Sequence, residues 1–485
     1  MSEESSRGKV ATGRSHVFEP EDRVSGLPDS ILSHILSFLP TKLAASTSGL
    51  STRWRYLFLD VPKIDIGESV VLNPDLNREE GIDEYDKLNL EEHFTCFIRN
   101  GLASHKSSIK EFRVRLLKQS HGKMQLVKAW ISSPLCRNVE VVDISVRRIW
   151  ENKNLEDMPC EIFNYKPLVK LNLHGGFVLQ VPKSELSWLP NLKVLSFSGD
   201  PNLFKSFRSE REFRVVGDNT GWDVGKSCPL LEELCFSYVH FSDVGLVNIS
   251  IPSLKMLVWA AMDDGDRVVL NAPNLEYLEY DYFLSPVIDS TCKMKQLVRA
   301  DLHFRFENEP PDDEADKLHQ FINEMHNVEF LRIYAYSLEL QCVTDDSLCD
   351  FLNLTHLELL ECRDDNWDLL ERLLKSAPNL EMLVCYMEND EVDPDMELDY
   401  SLYDKPRCLD RHLTKVEIKN YIESNYDFQL GRYFLNHGSV LEEMTFCLPK
   451  GAKRWRSSEG KKLLKIWNAQ KTVRWFLRQL VKPMV

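Results

Sequence analysis

At 485 residues and 56.4 kDa the chain is too long for one ordinary core, so it forms either two or three domains or one elongated repeat array. Hydrophobic residues at 43% and charged residues at 28% exclude a broadly disordered chain. A formal net charge of -16 excludes a general nucleic-acid binder, which needs a basic surface.

Residues 1–20 are small, polar and charged, without the apolar core of a secretory signal, and a disordered tail is expected there. No run of about 18 apolar residues occurs, so no membrane-spanning helix is expected. The expected location is intracellular, in the nucleus and/or cytoplasm. Twelve cysteines are scattered, the closest pairs (Cys228 with Cys235, Cys342 with Cys349) lying seven apart, which leaves no C-x-x-C metal or redox pair.

The first element runs from Leu27 to Pro40. Pro28 suits the first turn of a helix and Pro40 marks its stop, while Ile31, Leu32, Ile35, Leu36 and Leu39 recur at the spacing of one helical face. Thr41 and Ser51 are expected N-caps of two further short helices, the last carrying Trp54. Some forty residues are marginal for an independent core, so the apolar stripe needs a partner surface in this chain or another.

Leu27-Pro28, the run from Ile31 to Pro40, and Leu50-Ser51-Thr52-Arg53-Trp54-Arg55-Tyr56-Leu57 closely resemble a plant F-box. Leu43 stands where many members carry an acid and Gly49 where they carry an aliphatic residue, which implies looser packing of the second helix. The resemblance implies docking to a Skp-type adaptor and through it to a cullin. The implied docking residues are Leu27, Pro28, Ile31, Leu32, Ile35, Leu36, Leu39, Pro40, Leu50 and Trp54.

From residue 61 onward one phrase recurs: an aliphatic residue, another three later, and a third hydrophobic two beyond. It occurs thirteen times, from Ile109-Phe112-Val114 to Leu441-Met444-Phe446, with a mean spacing of about 28 residues. Each such phrase predicts one short strand of a parallel sheet in a leucine-rich-repeat solenoid. Pro190-Asn191, Pro273-Asn274 and Pro378-Asn379 break the chain before their strands.

Cys408-Leu409, Lys415-Val416-Glu417-Ile418, Arg432 to Asn436 and Leu441 to Phe446 resemble the FBD region that follows the repeats in many plant F-box proteins. Its usual ending is not seen after Leu448. In its place, Lys450 to Lys482 carries eleven Lys or Arg against the single acid Glu459. Leu463, Ile466, Trp467, Trp475, Phe476 and Leu480 lie at roughly helical spacing, predicting a basic amphipathic cap or arm, with Trp467 and Phe476 buried as a helical cap.

The expected fold is α/β: a three-helix F-box at 21–60, an irregular leucine-rich-repeat solenoid with a parallel sheet at 61–405, FBD-like C-terminal repeats at 406–449, and the basic cap or arm at 450–485.

Enzyme motifs are incomplete. Gly221 to Ser227 is one residue short of a phosphate loop, with Thr220 where the first Gly belongs, and reads as a surface insertion between repeats. His174-Gly175-Gly176 has no Gly-x-Ser-x-Gly nucleophile turn to serve and reads as a turn after a strand. Glu307 to Asp316 and Glu388 to Asp404 lack the ligand order and central Gly of a calcium loop. No catalytic residue, metal or cofactor is expected, and the chain reads as a non-catalytic adaptor subunit.

Alternation along the strands puts the residues flanking each inward hydrophobic on the opposite, exposed face. Across the middle repeats this predicts a target-binding patch of Tyr277, Glu279, Asp281, Arg299, Asp301, His303, Phe330, Arg332, Tyr334, His356 and Glu358. The loop from Asp200 to Gly225 is the competing site. The expected function is substrate recognition in an SCF-type (Skp-cullin-F-box) ubiquitin ligase. The alternative is a non-ligase scaffold or a small-molecule receptor, as some related repeat proteins are hormone receptors. An inward basic cluster would mark such a receptor, and Lys170, Arg299, Arg332, Lys415 and Lys419 are dispersed over many repeats.

Overall fold

The computed structural model describes residues 24, 26–67, 96, 99–100, 105, 107–116, 121–146, 155–181, 188–199, 213–262, 267–282, 287–290, 292–304, 320–334, 349–362, 367–387, 405–421, 425–449 and 474–479. The expected tail at 1–20 and both acidic stretches, 307–316 and 388–404, lie outside these residues.

Three short helices open the fold: α1 (Asp29–Ser37), α2 (Thr41–Ser46) and α3 (Trp54–Leu57). Pro28 and Pro40 occupy the positions just before α1 and α2, where a fixed φ near -58° and -53° starts the helix and a missing N–H loses nothing. Ser51 accepts from the Trp54 N–H at 3.4 Å, as its capping role requires. Thr41 is not a cap. Its hydroxyl instead accepts from the Asp65 N–H at 2.6 Å and ties the helical module to the first strand. Leu32, Leu36, Ala44, Leu57 and Val61 close a small core, backed by Leu27, Leu39, Trp54 and Phe58.

The chain continues with β1 (Lys63–Gly67), β2 (Glu111–Leu116), α4 (His121–Ile131), β3 (Val141–Val146), β4 (Glu156–Asp157), β5 (Lys170–His174), β6 (Phe177–Gln180) and β7 (Val194–Ser198). Then come β8 (Phe213–Val216), β9 (Trp222–Asp223), α5 (Val224–Ser227), β10 (Glu233–Ser242), β11 (Leu246–Ser250), β12 (Met256–Met262), β13 (Arg267–Asn271), β14 (Tyr277–Tyr282) and β15 (Val287–Ser290). The last part holds β16 (Arg299–Phe304), β17 (Phe330–Tyr334), β18 (His356–Cys362), α6 (Trp367–Ser376), β19 (Met382–Met387), α7 (Arg407–Arg411), β20 (Lys415–Lys419), α8 (Asn425–His437), β21 (Glu443–Leu448) and β22 (Arg474–Gln479).

Among the described residues every strand pairing is parallel. The main ladder runs β1-β2-β3-β5-β7-β10-β12-β14-β16-β17-β18-β19-β20-β21-β22. β4, β6 and β8 branch from it, because β10 bends at Tyr238 (φ 56°) and pairs β7 with its first half and β8 with its second, giving 18 strands among the described residues. A second sheet stacks β9-β11-β13-β15.

Register is pinned by a row of carbonyls just before the strands, each accepting two N–H groups from the next repeat. Glu140 N and Val141 N donate to Lys110 O at 2.8 and 3.1 Å, and the pattern persists to Glu442 N and Glu443 N on Thr414 O at 2.8 and 2.9 Å. This carries the strict in-register stacking of a solenoid. All three hydrophobics of all thirteen phrases are buried, none more than 4% exposed. Strands appear at two further places. Val61, Ile64 and Ile66 form a phrase around β1, and β22 adds a terminal strand.

Repeat length decides how the chain returns. Leu231 to Leu254, Leu254 to Leu275 and Leu275 to Leu297 span 23, 21 and 22 residues, and the return is made by the short strands β11, β13 and β15. Ile109 to Val139 and Leu354 to Leu380 span 30 and 26 residues and hold α4 and α6. The Gly221 to Ser227 segment is therefore no surface insertion: Trp222 and Val224 are buried in the second sheet's layer. Gly225 is needed there, since a Cβ would meet Ser250 O at 2.3 Å. His174-Gly175-Gly176 is the turn between β5 and β6, with Gly175 at φ +126°.

Nor is the end of the chain helical where it is described. Arg474–Gln479 is β22, parallel to β21 in continuous register from Glu443↔Arg474 to Leu448↔Gln479. Leu463, Ile466, Trp467 and Leu480 lie outside the described residues.

Candidate functional site

Two surfaces stand out. On the helical module, α1 is apolar on more than one side. Leu32 and Leu36 turn inward, at 0% and 1% exposure, while Ile31, Ile35 and Phe38 face out at 45%, 43% and 71%. Leu43, Leu50 and Tyr56 extend this exposed apolar face from the neighbouring elements. Of the residues expected to dock a partner, Ile31, Ile35, Leu50 and Pro28 are exposed, and Leu27, Leu39, Pro40 and Trp54 are half-buried. Leu32 and Leu36 are instead core, because two leucines four apart lie on one face and pack there with Ala44, Leu57 and Val61. Gly49 faces open space, with nothing within 4 Å of where a Cβ would stand.

The second surface lies on the sheet face opposite the hydrophobic core, across β14 to β18. Parallel register sets Glu279 beside Asp301, Asp301 beside Arg332, and Arg332 beside Glu358. Arg332 Nε donates to Glu358 Oε2 at 2.7 Å, and its Nη1 lies 3.6 Å from Asp301 Oδ2. Arg299 Nη2 donates to the same Asp301 oxygen at 3.1 Å, and its guanidinium sits 3.9 Å from the centre of the Phe330 ring. Such a cation over an aromatic face adds about 0.5–1 kcal/mol at an exposed site. The Tyr277 hydroxyl lies 2.8 Å from Glu279 Oε2 and 3.0 Å from Asp301 Oδ2, with one proton to share between them. Burial first, then the Asp301 charge and Glu279, push the Tyr277 phenol up from its ordinary value.

Toward the other end of the strands, His303 Nδ1 lies 3.0 Å from Asp281 Oδ2 and its ring stacks on Tyr334 with centroids 3.5 Å apart. His356 stacks on Phe330 at 4.5 Å and lies 3.3 Å from Glu358 Oε1. The eleven residues expected to form one patch therefore do share one face. None of them is fully exposed, however: eight are half-buried, and Asp301, His303 and Glu358 are buried, since the long side chains of the adjacent strands, about 4.8 Å away, close over them. Of the competing loop at 200–225, only 213–225 is described.

The two basic residues nearest the patch centre, Arg299 and Arg332, converge on Asp301, so they are neutralised rather than free. Lys419, two strands beyond β18, pairs with Glu417 at 3.7 Å and lies 4.5 Å from the centre of the Tyr386 ring. Among the described residues no group of three or more His, Cys, Asp or Glu is placed to hold a metal ion. No helix of the described residues is long and apolar enough to cross a membrane.

A small helical module with an outward apolar face, set before a parallel solenoid, defines the class of F-box proteins with leucine-rich repeats. The F-box domain model matches residues 24–65 and the FBD model matches residues 404–446. An F-box/LRR-repeat protein of Arabidopsis thaliana is 30% identical over 379 residues, covering 75% of this chain and 91% of that one. A second is 32% identical over 373 residues, covering 75% and 72%. An F-box/FBD/LRR-repeat protein of the same plant is 27% identical over 454 residues, covering 88% and 90%. The chain belongs to the plant F-box/FBD/leucine-rich-repeat family.

Proposed function

We propose that this F-box protein is the substrate-recognition subunit of an SCF-type ubiquitin ligase, working without chemistry of its own. The observation that carries the reading is the exposed apolar face of Ile31, Ile35, Phe38, Leu43, Leu50 and Tyr56. That many large apolar side chains on so small a module are left in water unless a partner covers them. A Skp-type adaptor is the partner the F-box match implies, and a cullin would follow through it. The target is held on the opposite sheet face of the solenoid, centred on Tyr277, Arg299, Phe330, Arg332 and Tyr334, and its rate of modification rises because it is kept close to loaded ubiquitin. The corresponding domain division is F-box 21–60, solenoid 61–405, FBD-like repeats 406–449 and basic segment 450–485, acting in the nucleus and/or cytoplasm.

The test is co-purification of the full chain with a Skp adaptor. Ile35→Asp with Phe38→Asp removes the adaptor, by about a hundredfold in affinity, if each buried apolar anchor is worth about 1.5–3 kcal/mol. Adaptor retained at wild-type level by that variant overturns the reading.

A further inference from the structure

We infer that the β14 side of this face receives a positively charged, extended segment of the target, with Lys or Arg at alternating positions. The inference rests on the placement of the target on this sheet face. Among the described residues of the patch four carboxylates, Glu279, Asp281, Asp301 and Glu358, face two guanidinium groups, Arg299 and Arg332. Both arginines are already engaged at the Asp301 and Glu358 end.

The deficit lies at the β14 end. Among the described residues, Glu279 accepts only from the Tyr277 hydroxyl, and that hydroxyl has one proton for two carboxylates. Beside it Asp301 is 8% exposed, and its Oδ1 has no hydrogen-bond partner among the described residues. A buried carboxylate oxygen without a donor is uncommon and costly. An ammonium or guanidinium group arriving at Glu279 offsets the charge of the Glu279–Asp301 pair without having to touch the enclosed oxygen.

Geometry narrows the ligand. Glu279 and Asp281 stand two residues apart on one strand, so their Cα atoms are about 6.6 Å apart, the same interval that separates side chains i and i+2 of an extended peptide. On the neighbouring strand β12, in register with these two, stand Val258 and Ala260, both buried, so neither Glu279 nor Asp281 meets a charged group on that side. Phosphate-bearing ligands fit poorly here, since among the described residues both guanidinium groups of this face are already held by its carboxylates. The chain's own charge of -16 also draws in a basic partner over a distance.

The test uses the full chain and a fluorescein-labelled Gly-Arg-Gly-Arg-Gly-Arg-Gly peptide, followed by fluorescence anisotropy, with the Glu-for-Arg peptide as control. The arginine peptide binds and the glutamate peptide does not. Glu279→Gln with Asp281→Asn weakens binding about tenfold or more, with the thermal midpoint measured to show an intact fold. Glu232→Gln with Glu276→Gln, on the strand edges outside the network, leaves it unchanged. Equal loss in both double variants overturns the inference, because the attraction would be bulk charge only. So does a gain of about tenfold on changing Lys453, Arg454, Arg456, Lys461, Lys462 and Lys465 to Gln, which would make the chain's own basic segment the occupant. If the arginine peptide fails to bind while target capture still depends on Tyr277, Arg299 and Tyr334, the cation class falls and the sheet-face site stands.

Discussion

Arg332 and Glu358 meet across the gap between β17 and β18, Nε to Oε2 at 2.7 Å, and this contact organises the middle of the sheet face. Burial works to raise the Glu358 carboxyl, yet hydrogen bonds from His356 and Arg332 and the charges of Arg332 and Lys419 outweigh it and hold it at about 2, below its ordinary 4.5. The folded value is thus depressed. Unfolded chain binds the proton first as acid is added, so this contribution is fully present above about 4.5 and lost as pH falls toward 2. Urea unfolding at about pH 6 and about pH 3 should show a steeper acid loss for the wild type than for Glu358→Gln. At neutral pH that variant should be less stable by about 1–3 kcal/mol, since Arg332 loses a charged acceptor in a part-buried setting. An equal acid loss in both proteins would mean that the contact does not hold Glu358 down.

The two faces of α1 should separate cleanly by mutation. Leu36→Ala removes a buried side chain from a core of few residues and should cost about 2–5 kcal/mol of the module's own stability. Ile35→Ala, on the outside, should leave stability within about 0.5 kcal/mol while weakening the adaptor complex. Thermal unfolding of the helical module in isolation from adaptor binding distinguishes them. Equal destabilisation by both would place Ile35 in the core.

How much of this was legible beforehand varies with the physics of each element. The solenoid was plain, because every ladder strand must bury hydrophobics at three fixed offsets, and thirteen phrases from Ile109 to Phe446 repeat them. Val61-Ile64-Ile66 has the same form, but it stands far ahead of the next phrase at Ile109 and so outside the run of thirteen. The second sheet carries a weaker signal. Trp222-Asp223 is a two-residue strand, and alternation in β11 and β13 covers only five residues each. In α1, Ile31, Leu32, Ile35 and Leu36 occupy two adjoining stripes, and helical spacing alone does not say which one the module keeps for itself. Alternation likewise gave the correct face for Asp301 and His303 but not their burial, which depends on neighbours such as Tyr334 brought over from another strand.

Aromatic stacking joins the two sheets, and its loss should be severe. Phe236 contacts Phe197, Trp222, Phe241 and Trp259 with ring centroids 5.5–5.7 Å apart, and it is fully buried. Phe236→Ala should cost about 3–5 kcal/mol, read as a lowered urea midpoint, whereas Phe236→Leu should recover most of it. A loss under about 1 kcal/mol would show that the branch strands and second sheet do not depend on this junction.

Truncation after Pro449 removes β22 and leaves β21 as the edge of the parallel sheet. An uncovered edge with unpaired N–H and C=O groups promotes pairing between chains. The shortened chain should therefore aggregate at concentrations where the full chain stays monodisperse by light scattering. Unchanged solubility and thermal midpoint would identify the basic segment as dispensable to the fold.

The target should be lost when the face across β14 to β17 is stripped of its large side chains. Tyr277, Arg299 and Tyr334 lie on three of those strands, each half-buried and each with its partner on a neighbouring strand: Tyr277 with Asp301, Arg299 with Phe330, Tyr334 with His303. They are thus pre-ordered, so binding pays little side-chain entropy, and aromatics with Arg are the residue types that dominate interface energy. Replacing all three with Ala should lower target capture by about a hundredfold or more, as a pair of hot-spot losses of about 2 kcal/mol each would do. Adaptor binding should persist, because the F-box core of Leu32, Leu36, Ala44, Leu57 and Val61 is a separate cluster. Proximity labelling with the proteasome inhibited, comparing wild type with the triple variant, supplies the targets to be scored. Capture that survives the triple variant but fails when residues 200–225 are shortened would move the site to that loop.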